Sequence, residues 1–163
     1  MNTMIRASSR KPLLASNPLI GPPLVGDTWA ESADTPGMID CPAGITLASE
    51  SVFAAADALV VPTIPTTLSK RTLDQLTEHL AAHPPAPLVL PFISMFDRRK
   101  RLQRELVAKL ATGSPPLLPT AIPNASVVEL MGLERAPLAT YAPTSPAAAA
   151  FRTLWQDIAQ RIW

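Results

Sequence analysis

Cysteine is almost missing from this chain. Cys41 stands alone, which excludes an internal disulfide and any multi-cysteine metal site. Histidine is nearly as scarce: His79 and His83 are the whole complement, so a conventional zinc centre is not expected. No apolar run reaches the ~18 residues of a transmembrane helix. The N-terminus carries no apolar signal core. A cytoplasmic chain with no membrane partner is therefore the expectation. Neither sign of charge dominates, the formal net charge being +1, so a nucleic-acid or membrane partner would have to use a local patch. What the chain does have is apolar content of 47% across 163 residues, enough for one domain with a real core.

Residues 1–36 differ from the rest. They hold Pro12, Pro18, Pro22, Pro23 and Pro36, with several Ser and Asn and no sustained period, and read as an irregular or disordered segment. Residues 37–163 read as a domain in which short apolar strands alternate with helices. Strands are expected near 38–40, 58–61 (closed by Pro62), 88–93 and 117–122. Pro91 inside the third suggests an edge or a bulge, since proline cannot donate to a ladder. Helices are expected at 46–56, 69–82, 99–111, 126–131 and 145–162. Their inward stripes are Leu73, Leu76 and Leu80, then Leu102, Leu106, Val107 and Leu110, and finally Phe151, Leu154, Trp155, Ile158 and Ile162. This alternation predicts an α/β fold with a mostly parallel sheet flanked by helices. Ligands of such sheets sit at the carboxyl ends of the strands.

The run Met38-Ile39-Asp40-Cys41-Pro42-Ala43-Gly44 is the most pointed local signal. An apolar pair leads into an acid, followed by Pro and Gly, as where a buried strand ends with a carboxylate facing a nucleotide's metal ion. The plain alternative is a helix N-cap or turn aspartate. Cys41 has no histidine near it in sequence and reads as a buried, inert thiol. Arg98, Arg99, Lys100, Arg101 and Arg104 put five cations at a helix start, the end where the dipole disfavours them. They read either as phosphate contacts to DNA or as a solvated face balanced by Asp97 and Glu105. No aromatic residue interleaves with them, so any DNA binding would be backbone-directed rather than by stacking. His79 and His83 stand four apart on a helix, a spacing metal ligands use. With no third ligand visible, they read as a solvated helix end.

Five pieces taken in order resemble the C-terminal half of the ParA/MinD-like partition ATPases. They are Ile39-Asp40-Cys41-Pro42-Ala43-Gly44, the stretch from Val60-Val61-Pro62-Thr63 to Arg71-Thr72-Leu73, Ser94-Met95-Phe96-Asp97-Arg98-Arg99, Ala121-Ile122-Pro123-Asn124, and Tyr141-Ala142-Pro143-Thr144-Ser145-Pro146. The resemblance implies an incomplete P-loop NTPase fold, ATP and magnesium as cofactors, a sandwich homodimer, a partition partner protein, and non-specific DNA binding in plasmid or chromosome segregation. It implies Asp40 as a magnesium–water site of ancestral origin. Gly44, Pro123 and Asn124 would be nucleotide contacts, and Arg98, Arg99, Lys100 and Arg101 DNA contacts.

One expected part is not there. The family's glycine loop ends in Gly-Lys-Ser/Thr, whereas Lys11, Lys70, Lys100 and Lys109 precede Pro12, Arg71, Arg101 and Leu110. That loop supplies the phosphate cradle, a neutralising lysine and a magnesium hydroxyl. Gly21-Pro22-Pro23-Leu24-Val25-Gly26-Asp27-Thr28 has its glycine spacing, but two prolines remove amide donors and Asp27 would repel phosphate. We read it as a coincidence. The expectation is an N-terminally shortened or remodelled partition-ATPase relative that hydrolyses ATP weakly or not at all by itself. The alternative is a non-enzymatic DNA-associated or partner-binding module on the same fold.

Overall fold

A computed structural model of the chain describes residues 3–7, 37–41 and 46–162. Among these residues five strands form one sheet: β1 (Thr3–Ala7), β2 (Gly37–Cys41), β3 (Ala56–Thr63), β4 (Leu88–Phe96) and β5 (Ala121–Pro123), in the spatial order β2-β1-β3-β4-β5. Seven helices of the described residues accompany them: α1 (Leu47–Ala55), α2 (Thr67–Ala82), α3 (Arg101–Ala111), α4 (Ser126–Glu129), α5 (Met131–Glu134), α6 (Leu138–Tyr141) and α7 (Pro146–Ile162). β3, β4 and β5 are parallel, joined by helical crossovers, so the α/β expectation holds with a three-stranded parallel core. β1 runs antiparallel to both β2 and β3. It is a strand inside the segment expected to be irregular. Its five residues carry little local signal, and it pairs with partners thirty or more residues away.

The sheet is covered on both faces, which is why Leu59-Val60-Val61 shows no alternation of polarity. On one face Leu59, Val61 and Ile93 meet Phe53 of α1, Leu73, Leu76 and Leu80 of α2 and Leu110 of α3. On the other, Ala58, Val60, Leu90 and Phe92 meet Leu118, Ile122 and, from α7, Leu154 and Ile158. α4 to α6 close a smaller cluster on α7 around Leu138, Ala147 and Ala148. The helix starts follow their capping chemistry. Thr46 and Ser49 form a capping box on α1. Thr66 Oγ1 accepts the Ser69 amide at 3.1 Å, making Thr66 the cap of α2 and Ser69 its third residue rather than its start. Ser145 Oγ accepts the Ala148 amide at 3.1 Å and opens α7.

Proline placement corrects two boundary expectations. Pro62 lies inside β3, not after it. Among the described residues the β1 ladder on that side ends at Val60, so none of their β1 carbonyls faces the missing N–H. β4 is not an edge strand despite Pro91. The Pro91 carbonyl accepts the Leu118 amide at 2.8 Å, and the β4–β5 ladder starts only at Ile93–Ala121, so the imide nitrogen falls before the pairing begins. β4 does bulge, but between Ile93 and Phe96 and not at Pro91, which stays in register with Val61.

Met95 sits in that bulge with φ of 56°. A side chain in the left-handed region costs about 1–2 kcal/mol, and bulges of this kind favour glycine. Met95 is 44% exposed, so any truncation also gives up part of its burial, and the backbone effect is read by comparing truncated variants with one another. Met95→Gly should therefore be more stable than Met95→Ala by about 0.5–1 kcal/mol in urea denaturation, and Met95→Val should be the least stable of the three, because a β-branched residue is least at home there. The reverse order of midpoints would show that the bulge is not left-handed.

Candidate functional site at the carboxyl rim of the parallel strands

β3, β4 and β5 all end on one rim. The sequence that follows β4 builds the most structured part of it. Asp97 Oδ1 accepts both the Arg99 amide and Arg99 Nε at 3.0 Å, and Asp97 Oδ2 accepts the second guanidinium nitrogen at 3.2 Å. An aspartate bonding the backbone two residues on is a standard turn device, and it explains why α3 starts at Arg101 rather than Arg99. The Arg99 hydrogen bonds hold the Asp97 carboxyl below its ordinary range and push the Arg99 guanidinium higher. Gln103 Oε1 accepts the Asp97 amide at 2.8 Å, and Arg104 donates to the Arg98 carbonyl at 2.7 Å. Residues 97–100 thus form a turn tied from both ends.

That turn displays its cations to solvent. Arg98, Arg99, Lys100 and Arg101 are all exposed. Arg99 pairs with Asp97 and Arg101 with Glu105, but with arginine side chains 90% and 86% exposed. Pairs of that kind hold little energy and leave the guanidinium groups open to other anions. Arg98 and Lys100 side chains have no ion pair among the described residues. α3 has no side-chain cap at Lys100, and its dipole adds to the positive potential at this end.

Pro123 and Asn124 join this turn. Phe96 is in register with Pro123, and the Asn124 amide donates to the Phe96 carbonyl at 3.0 Å. Asn124 therefore stands beside the residue that precedes Asp97. Pro62 and Thr63 lie on the adjacent strand, paired with Phe92 and Ile93. Three of the sequence-marked segments thus converge on one rim.

Asp40 is elsewhere. It is an exposed strand residue, not a helix N-cap, and its partner Met4 aligns in turn with Val60. This places it at mid-height of β3, on the outermost strand. At ~4.8 Å per strand step it is ~14 Å to the side of β4, with antiparallel β1 intervening. Gly44 and the 21–28 glycine run lie outside the described residues. Cys41 faces the core, 3% exposed, and burial, with Asp40 second, pushes its thiol above the ordinary value. That is the inert cysteine expected.

Leu102 and Trp155 correct two core assignments. Leu102 is 62% and Trp155 46% exposed: the first turn of α3 stands clear of the sheet, and Trp155 lies on the flank of the α7 stripe. Asp97 does more than balance charge: the Asp-x-Arg spacing is the sequence signal for its turn-forming role. No helix of the described residues is long and apolar enough to cross a membrane. No protein-family model and no curated protein matches this chain.

Proposed function

We propose that this chain is a ParA-like partition protein that contacts DNA phosphates through the Arg98–Arg101 turn and by itself does not turn over ATP. The observation that carries this reading is the tied, exposed basic turn at the rim, where five cations face only two carboxylates between residues 97 and 105. Positive charge is placed there against the helix dipole, and a surface that served only folding would avoid it.

The sheet supports the second half of the reading. In P-loop proteins a strand runs to the carboxyl rim and delivers the phosphate loop there. β1 lies between β2 and β3 but runs opposite to both, so its own carboxyl end, at Ala7, lies at the other rim. With no Gly-Lys-Ser/Thr sequence in the chain, the positioning and charge stabilisation that phosphoryl transfer depends on have no source within it. The partition setting and a possible homodimer rest on the sequence resemblance. A non-enzymatic DNA-associated module shares the same basic turn and gives the same DNA result.

Fluorescence anisotropy with a labelled duplex of arbitrary sequence tests the DNA contact. Binding should be present at ~50 mM salt and lost at ~200 mM, as phosphate-directed binding requires. No binding at low salt removes the proposal. Calorimetry with magnesium and ATP tests the other half: no heat of binding is expected, and micromolar affinity would overturn it.

A further inference from the structure

Glu50 of α1 reaches the α2 histidine pair, a contact separated by twenty-nine positions and invisible to helical spacing. Its Oε1 lies 3.8 Å from His79 Nε2. The His79 and His83 rings stand 4.5 Å apart, centroid to centroid. His83 Nδ1 is 2.8 Å from the His79 carbonyl oxygen. A carbonyl only accepts, so Nδ1 carries the proton, and in the neutral ring Nε2 keeps the free lone pair. Orientation of a ligand imidazole by a backbone carbonyl on its other nitrogen is the usual second support of a metal-bound histidine.

We propose that His79, His83 and Glu50 form a binding site for zinc or a similar borderline divalent cation, clamping α1 to the end of α2. No set of three ligands stands ready-made around one point among the described residues, so the site closes by side-chain rotation. With zinc–ligand bonds of about 2.0–2.1 Å, two donors on a tetrahedral ion lie roughly 3.4 Å apart and two ligand imidazoles have centroids roughly 5.2 Å apart, so the two rings, now at 4.5 Å, open slightly as they turn toward the ion. The side chain of Glu50 is 48% exposed, so it is free to make that move. The backbones below do not have to move: Phe53 of α1 and Leu80 of α2 belong to the same buried cluster. Water would complete the coordination on the solvent side. Carboxylate and imidazole together suit zinc better than magnesium or calcium, which take oxygen ligands. The site is independent of the basic turn and of any nucleotide.

Titration calorimetry of the full chain with zinc chloride tests this, with any purification tag removed so that no added histidines compete. One zinc per chain with micromolar affinity is expected. His83→Ala and Glu50→Gln alter exposed or half-exposed side chains, and circular dichroism checks that each variant is folded. Each should weaken zinc binding tenfold or more. Absence of zinc binding overturns the proposal. So does full affinity in Glu50→Gln, since the histidine pair would then bind without the second helix.

Discussion

Ile93→Ala should cost about 3–4 kcal/mol and lower the melting temperature by roughly 10 °C. Ile93 is 1% exposed, pairs with Thr63 on one side and Ala121 on the other, and packs under α2 and α3. Deleting its branched side chain leaves a cavity that two flanking strands and two helices cannot jointly close. The loss would also be local to the rim, because Ile93 is the last ordinary ladder residue before the bulge at Met95. Thermal denaturation followed by circular dichroism reads the effect. Leu133→Ala, at a site 80% exposed, is the control and should stay within about 0.5 kcal/mol of the wild type. Equal shifts for the two variants would mean that the rim is not packed as described.

The parallel core was legible because its signals are local. Leu73, Leu76 and Leu80 recur at helical spacing and are the buried residues of α2. An unbroken apolar run is what a strand covered on both faces needs. Ends were less legible, because they depend on side-chain bonds that outrank periodicity. Asp97 takes Arg99 out of α3, and Thr66 takes Ser69 into α2. β1 was not legible at all. Thr3–Ala7 is five residues with no turn signal of its own, and its place between β2 and β3 is a long-range fact.

The same distinction separates the parts of the candidate site. Segments that follow parallel strands reach one rim by topology alone, so Asp97–Arg101 and Asn124 come together as their positions in the chain suggest. Asp40 also ends a strand of that direction, but its distance from the others depends on what lies between β2 and β3. Composition and spacing carry no information on that. The Glu50–His79 contact shows the limit from the other side. The sequence displays the histidine pair, whereas the third group arrives through the packing of α1 on α2.

Replacing Arg98, Lys100 and Arg101 together with Ala should lower duplex affinity at low salt about a hundredfold and make the salt dependence shallower by about 2–3 in logarithmic slope, each phosphate contact being worth ~0.9. The two observables separate phosphate contact from general charge. A solvated surface that merely adds to the net charge would change affinity slightly and leave the slope alone. Folding should not suffer, and this is the more telling half of the prediction. The three side chains are exposed, and Arg101–Glu105 is an exposed pair of little worth. Their charges oppose the α3 dipole, so their loss should leave the melting temperature unchanged or slightly raised. Asp97, Arg99 and Arg104 are kept because they hold the turn. A variant that binds DNA as before at every salt concentration would reduce the basic turn to a solvated helix start. A variant that binds weakly and is no less stable would mean the cations are retained for a ligand and not for the fold.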